Sequence, residues 1–233
     1  MRTLTIVGHR GDPYRARENT LPSLRSAFAR GADAVEVDVR LTRDGVPVLL
    51  HDETLDRLWR ADVALSSMTA AQLRELTGGG VPTLQEALMA SGEGRLMIDL
   101  PGASAETVRA VVGLVRECGA RERTYYCAGG TTMLAVRAAD PGAELAMTWT
   151  SLSPPSRALV DAVSPRWLNY RFGLVSKELV DALRAEGLLV SAWTADTRRT
   201  MRSLVAAGVD SVTTNRVDVM AAVRAAAERP APR

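Results

Sequence analysis

The chain has 233 residues and a mass of 25.0 kDa, with 29 basic against 27 acidic side chains, a net charge of +2 and a pI near 8.8. That length suits one large α/β barrel or two small domains, and a charge balance with no basic block points away from nucleic acid. Cys118 and Cys127 lack any zinc-like or paired spacing, no apolar run approaches ~18 residues, and the chain starts directly in a strand pattern; the expectation is reduced thiols in a soluble cytoplasmic protein without membrane insertion.

In chain order, a strand pattern runs from Thr3 to Gly8 and ends in His9, Arg10 and Gly11. The guanidinium of Arg10 is suited to clamping two phosphate oxygens, and Gly11 permits a tight turn. Thr20 caps a helix holding Leu21, Leu24 and Phe28, which ends before Gly31. The next strand, Ala34 to Arg40, places Val35, Val37 and Val39 on one face and Glu36 and Asp38 on the other, because side chains alternate. Two carboxylates on an inward face, about 7 Å apart, need a cation or hydrogen-bond donors between them, with a metal ion the first candidate. Asp44-Gly45 then signals a tight turn. Pairing Arg43 with Val46 sets Leu41 against Val48, Val39 against Leu50 and Asp38 against His51, so the return arm Pro47 to His51 delivers a histidine beside the acids.

The connection from Glu53 to Gly80 is long enough to cover a substrate. It contains Trp59, a helix around Leu73 opened by the capping box Thr69-Ala-Ala-Gln72, and Gly78-Gly-Gly80, which lacks the Gly-Lys-Ser/Thr of a nucleotide loop and reads as a flexible hinge. A second box, Thr83-Leu-Gln-Glu86, opens the next helix. The strand Arg95 to Leu100 carries Asp99 at its end, where a third carboxylate suits a hard cation, Mg²⁺ or Ca²⁺. Val108, Val111, Val112 and Val115 form a helical stripe closed by Gly119, and strands follow at Thr124 to Ala128, Glu144 to Trp149, Trp167 to Tyr170, Leu188 to Thr194 and Ser211 to Asn215. Gly31, Gly142, Gly187 and Gly208 each precede a strand as left-handed caps. Trp193 lines the mouth of the same end of the sheet as a substrate contact, Asn215 and Arg216 end the last strand where barrels often hold phosphate, and the tail from Ala225 to Arg233 is expected to fray.

Eight strands each followed by a helix describe a (β/α)8 barrel over residues 1–233, with an antiparallel hairpin arm and a small insertion at about 41–80 after the second strand. An open doubly wound sheet shares the local pattern, but no GxGxxG follows the first strand. The chain has two histidines, His9 and His51, and both fall at strand ends beside the acids, suited to a base and an acid near neutral pH. No Gly-x-Ser-x-Gly elbow competes with them.

The motifs His9-Arg10-Gly11, Glu18-Asn19-Thr20, Glu36-x-Asp38, Thr42-x-Asp44-Gly45 and Pro47-Val-Leu-Leu-His51-Asp52, in this order and spacing, resemble the glycerophosphodiester phosphodiesterase family. Pro82 to Leu88, Ala192 to Asp196 and Gly208 to Thr214 extend the resemblance along the chain. It implies a barrel with a short insertion that hydrolyses glycerophosphodiesters to glycerol 3-phosphate and an alcohol. It also implies one divalent cation on Glu36, Asp38 and Asp99, acid and base work by His9 and His51, and phosphate contact by Arg10. The family's third strand usually reads Glu-x-Lys, where this chain has Asp99-Leu-Pro101, and its last strand tends to Asp-x-Pro, where this chain has Asn215-Arg216-Val217. These departures keep two alternatives open: a weakened or inactive barrel that binds phosphodiesters, and a lysophospholipase D-like activity using an apolar rim of Leu55, Leu58, Trp59 and Val63. Head group and oligomeric state do not follow from the sequence.

Overall fold

The structure, a computed structural model, describes residues 3–151 and 153–228. Its strands are β1 (Thr5–Gly8), β2 (Ala34–Leu41), β3 (Pro47–Leu49), β4 (Thr54–Leu55), β5 (Ala61–Ala64), β6 (Arg95–Asp99), β7 (Thr124–Ala128), β8 (Leu145–Trp149), β9 (Trp167–Arg171), β10 (Leu189–Trp193) and β11 (Ser211–Thr214). The helices are α1 (Leu21–Ala29), α2 (Asp56–Trp59), α3 (Ala70–Thr77), α4 (Leu84–Ala90), α5 (Ala105–Glu117), α6 (Gly130–Ala139), α7 (Arg157–Val163), α8 (Lys177–Ala185), α9 (Arg198–Ala207) and α10 (Val217–Glu228). Parallel pairing runs β2-β6-β7-β8-β9-β10-β11-β1, and β1 pairs with β2 to close the ring. This is the (β/α)8 barrel expected from the alternation, with β3 as its antiparallel arm. Among the described residues no helix is long and apolar enough to cross a membrane.

Period-two alternation divides the hydrophobic residues into two cores. Outward side chains, among them Val35, Val37, Val39, Leu96, Ile98 and Val190, pack against the helices, whose own stripes complete the layer. On α5 the predicted valines 108, 111, 112 and 115 are all buried there, each worth roughly 1.5–3 kcal/mol of apolar burial. Inward side chains Val7, Ala34, Met97, Tyr125, Cys127, Ala146, Trp167 and Leu189 fill the lower barrel. Tyr125 stacks near Trp167 at 6.5 Å, Arg95 covers Tyr125 at 4.8 Å, and Trp167 donates to Glu144 at 2.8 Å. With its N-terminal end plugged in this way, the barrel offers its interior from the C-terminal ends of the strands.

Both capping boxes form, at Thr69 with Gln72 and at Thr83 with Glu86, and Thr20 caps α1 by accepting from Ser23 N–H. Gly31, Gly119, Gly187 and Gly208 are left-handed as expected, at φ 95°, 61°, 81° and 85°. Gly142 is not: a Cβ there would meet the tip of the Arg121 side chain, which is paired with Asp140. Gly78 and Gly79 close α3 at φ 59° and 75°, while Gly80 lies under the Trp59 ring, so the expected hinge is a helix cap and a packing contact. Residues 225–228 of the expected frayed tail continue α10, and the rest of that tail lies outside the described residues.

The hairpin differs from expectation by one residue. Observed pairs are Val39 with Leu49, Arg40 with Val48 and Leu41 with Pro47. Gly45, at φ 78°, makes the loop three residues long: Thr42 N–H donates to Val46 O at 3.1 Å, and Gly45 N–H to Thr42 O at 2.9 Å. A slip of one residue reverses the faces of a strand, and Asp38 O now accepts from Leu50 N–H instead of facing His51. His51 lies beyond the end of β3, where its carbonyl accepts from Arg40 Nε at 2.7 Å, and its ring is free of the pleat.

The inserted segment between β3 and α4 holds β4, α2, β5 and α3 around a small core of Val48, Leu50, Leu55, Leu65, Met68, Leu73 and Val81. Leu55 is buried in it, and Trp59 and Val63 pack against it, so three of the four side chains of the expected apolar rim serve packing.

Candidate active site

At the C-terminal end of the barrel a cavity of about 260 Å³ is lined by His9, Arg10, Glu36, Asp38, His51, Asp99 and Trp193, together with Met97, Pro101, Ala128, Gly129, Thr148 and Thr213. All seven site residues expected from the sequence therefore meet in one place.

The acids come from neighbouring strands in register, Asp38 of β2 beside Asp99 of β6. Glu36, Asp38 and Asp99 each bring a carboxylate oxygen to within 4.8 Å of the others. Burial, then the charges of Asp38 and Asp99, push Glu36 well above the usual carboxylate range. Burial and the Asp38 charge likewise push Asp99 up to about 7. Three converging carboxylates, with Glu36 and Asp99 disfavoured as ions, are a donor set matched to a hard divalent cation, which prefers oxygen ligands. Asp99, though one methylene shorter than Glu, reaches the other two.

The turn after β1 positions its groups through its backbone. Arg10 and Asn19 both take left-handed backbone at φ 55° and 54°, costly for non-glycine residues by roughly 1–3 kcal/mol each. This turn aims Arg10 N–H at Glu36 Oε2, 2.8 Å away, and Arg10 O accepts from Asn19 N–H and from Ser23 Oγ, both at 3.0 Å. Gly11 follows at φ 91° with Ser23 directly against it, where any side chain would collide. Asn19 embraces Asp38 from both ends: its Nδ2 donates to Asp38 Oδ2 at 2.8 Å and its Oδ1 accepts from Asp38 N–H at 3.2 Å. The Arg10 side chain donates through Nη1 to Glu18 at 2.9 Å, and its Nε lies 3.0 Å from Asp38 Oδ2 without a hydrogen-bonding angle.

His9 is held by the last strand. Its Nδ1 lies 2.8 Å from Asn215 Oδ1, while Asn215 Nδ2 donates to Asp196 Oδ2 at 2.7 Å. A carboxylate accepts only, so the Asn215 amide must turn its NH₂ to Asp196 and its oxygen to His9. The proton of neutral His9 therefore sits on Nδ1, and Nε2, 4.0 Å from Glu36 Oε2, carries the lone pair. Burial, then the Arg10 charge, lower the His9 pKa and favour this neutral ring. His51 is more exposed, and its Nδ1 is 2.7 Å from Asp52 Oδ1. The carboxylate there also fixes the proton on Nδ1 and leaves Nε2 available.

Sequence reading assigned no role to Glu18, Asn19, Asp52, Arg57 or Asp196. Glu18, Asn19 and Asp52 stood inside the motifs, and Asn215 was marked for phosphate where the structure has it bonded to His9.

Comparison with known proteins identifies the family. A profile of the glycerophosphoryl diester phosphodiesterase family matches residues 9–219. The chain belongs to that family, and so to the phosphoric diester hydrolases. It is 27% identical to a glycerophosphodiester phosphodiesterase of Caldanaerobacter subterraneus over 92% of this chain and 95% of that one. The crystal structure of a glycerophosphodiester phosphodiesterase from Thermotoga maritima superposes with a TM-score of 0.83 at 25% identity, covering 96% of this chain and 99% of that one. One from Agrobacterium tumefaciens superposes at 0.81 with 25% identity, covering 94% and 99%.

Proposed function

We propose that the protein hydrolyses glycerophosphodiesters to glycerol 3-phosphate and an alcohol, with Glu36, Asp38 and Asp99 holding one divalent cation, Mg²⁺ or Ca²⁺. The observation that carries this reading is the meeting of three carboxylates, two histidines with free Nε2 atoms and an arginine in one 260 Å³ cavity. When bound, the cation supplies charge neutralisation of the phosphodiester and offsets the repulsion among its ligands.

His9 takes the proton of the glycerol hydroxyl next to the phosphoester through its Nε2, because its Nδ1 proton is committed to Asn215. The hydroxyl oxygen attacks phosphorus to form a cyclic phosphate, and the bond to the head-group oxygen breaks. His51, entering this step as the imidazolium with its Nδ1–H held by Asp52, gives its Nε2 proton to that leaving oxygen and is left as the neutral Nδ1–H ring. In the second half the roles exchange, and water opens the ring. Arg10 contacts the phosphate from the turn after β1, and Trp193 walls the glycerol side.

A second reading, binding without turnover, is motivated by Pro101, which lines the cavity where the family carries a lysine. Lys177 does not replace it, being paired with Asp181 on α8 at 2.6 Å. Assays with Mg²⁺, Ca²⁺ and Mn²⁺ against glycerophosphocholine, glycerophosphoethanolamine and glycerophosphoglycerol separate the two. The hydrolase reading expects turnover with at least one cation and its loss in His51→Ala with metal affinity kept. Binding under every metal without turnover would support the second reading instead.

A further inference from the structure

Beyond His51 and Asp52, the inserted segment reaches the site through the Arg57 side chain. Arg57 stands on α2, a single helical turn that follows buried Leu55. Its Nε donates to Asp52 Oδ2 at 2.6 Å and its Nη2 to Glu18 Oε1 at 2.7 Å. Asp52 turns its other oxygen to His51, at 2.7 Å, and the same Glu18 oxygen accepts from Arg10 Nη1 at 2.9 Å. One guanidinium thus bridges the carboxylate behind His51 and the carboxylate behind Arg10. We propose that Arg57 is a positioning residue of the hydrolysis, fixing the His51 ring and the Arg10 guanidinium relative to one another and making the inserted segment a working part of the site. This inference rests on the phosphodiesterase reading above.

The chemistry suits the task. A planar guanidinium presents separate N–H groups in a rigid fork, so it can hold two carboxylates at a set angle, which an ammonium on a flexible stem does not. Among the described residues Asp52 is the hydrogen-bond partner of the His51 ring, so a ring that is 42% exposed depends on how firmly Asp52 is held. The Arg57 hydrogen bond is the main cause that brings Asp52 down to about 2. Burial works against ionised Glu18, yet bonds from Arg57 and Arg10 hold its pKa low. A second tie joins the same two segments without touching any of these groups: Arg17 lies over the Trp59 ring at 4.2 Å. That contact supplies a control, because it docks the insertion and does nothing for His51.

The test compares Arg57→Ala, Arg57→Lys and Arg17→Ala with the wild type in the full chain, by kcat, KM, Tm and ¹⁵N NMR of the histidine rings. With His9 and His51 as the only histidines, both ring spectra are readable. Arg57→Ala is expected to lower kcat by about tenfold or more, as loss of an orienting partner does, and to raise KM through Arg10. Its Tm stays within about 3 °C, since the side chain is about half exposed. Arg57→Lys restores only part of the loss, Arg17→Ala stays within about twofold of wild type, and the His51 ring loses its single Nδ1–H form in Arg57→Ala alone. Unchanged kcat in Arg57→Ala, or equal losses in Arg57→Ala and Arg17→Ala, would overturn the proposal. Should the wild type turn over no glycerophosphodiester, the hydrolase reading fails, and the spectra still decide the matter: an unaltered His51 ring in Arg57→Ala refutes the positioning role, and a mixed tautomer supports it.

Discussion

The two sides of the cavity are built from different materials. The side formed around β1, β2, β6 and the return arm carries His9, Arg10, Glu36, Asp38, His51 and Asp99, while the side formed around β7, β8, β10 and β11 carries Ala128, Gly129, Thr148, Trp193 and Thr213. On the first side the polar groups are tied down, Glu36 by Arg10 N–H, Asp38 by Asn19, His9 by Asn215 and His51 by Asp52. On the second, Thr148 Oγ1 lies 3.2 Å from Cys127 Sγ and Trp193 Nε1 donates to Asn169 O at 3.4 Å, but among the described residues Thr213 Oγ1 has no partner, nor do Asn169 Oδ1 and Ser211 Oγ deeper in the barrel. Charge that must keep its geometry is held by fixed dipoles, and the uncharged side is left to shape what enters.

The sharpest way to break this contrast is Glu36→Gln. It should lower kcat/KM by about a hundredfold or more with cation present. In EDTA the same change should raise Tm, because it removes a carboxylate that burial and two acidic neighbours disfavour. Parallel assays and melts check both, and a lower Tm would show that the acids are not in conflict.

Next in size is a pH effect. Asp99 titrates at about 7 in the folded chain against an ordinary 3.8, and Glu36 is raised as well. Between those values the unfolded chain has released protons that the folded chain keeps, so stability of the metal-free protein falls as pH rises through the window, and the Asp99 share of that loss is complete above about 7. Urea denaturation in EDTA should give a free energy higher at pH 5 than at pH 8 by a few kcal/mol, with added Mg²⁺ or Ca²⁺ narrowing the gap.

A smaller change is expected where the charged side is incomplete. Pro101→Lys places a cation at the cavity wall and should raise kcat/KM severalfold, up to about tenfold, read with glycerophosphoglycerol. No gain would mean that Arg10 already meets the need. The smallest effect belongs to the neutral side: Thr213→Val should leave kcat/KM within about threefold and hold or slightly raise Tm, because it removes a buried hydroxyl that lacks a partner among the described residues.

What the sequence revealed follows from what short-range rules govern. Glu36 and Asp38 were legible because strand alternation forces both inward, and Asp99 because it ends a strand of the same sheet. The capping boxes were legible because their partners are three residues apart. The hairpin register was not, because one left-handed residue, Gly45, decides between a two-residue and a three-residue loop. His51 nevertheless reached the site because it lies past the ladder. Arg57 with Glu18, 39 residues apart, and His9 with Asn215, 206 apart, were invisible, since such bonds exist only once the barrel fixes both ends.

That last bond bears on when the chain becomes competent. His9 is synthesised 206 residues before Asn215, and the amide that selects its tautomer follows β11, the last barrel strand among the described residues. The barrel also closes there, through β11 against β1 and His9 N–H to Thr214 O at 2.9 Å. A nascent chain can present its acids and both imidazoles long before residue 215 emerges, but His9 then has no partner to choose which nitrogen is basic. Emergence of residue 215 and the arming of the base are therefore one event, written into the distance along the chain between the two ends of a single hydrogen bond.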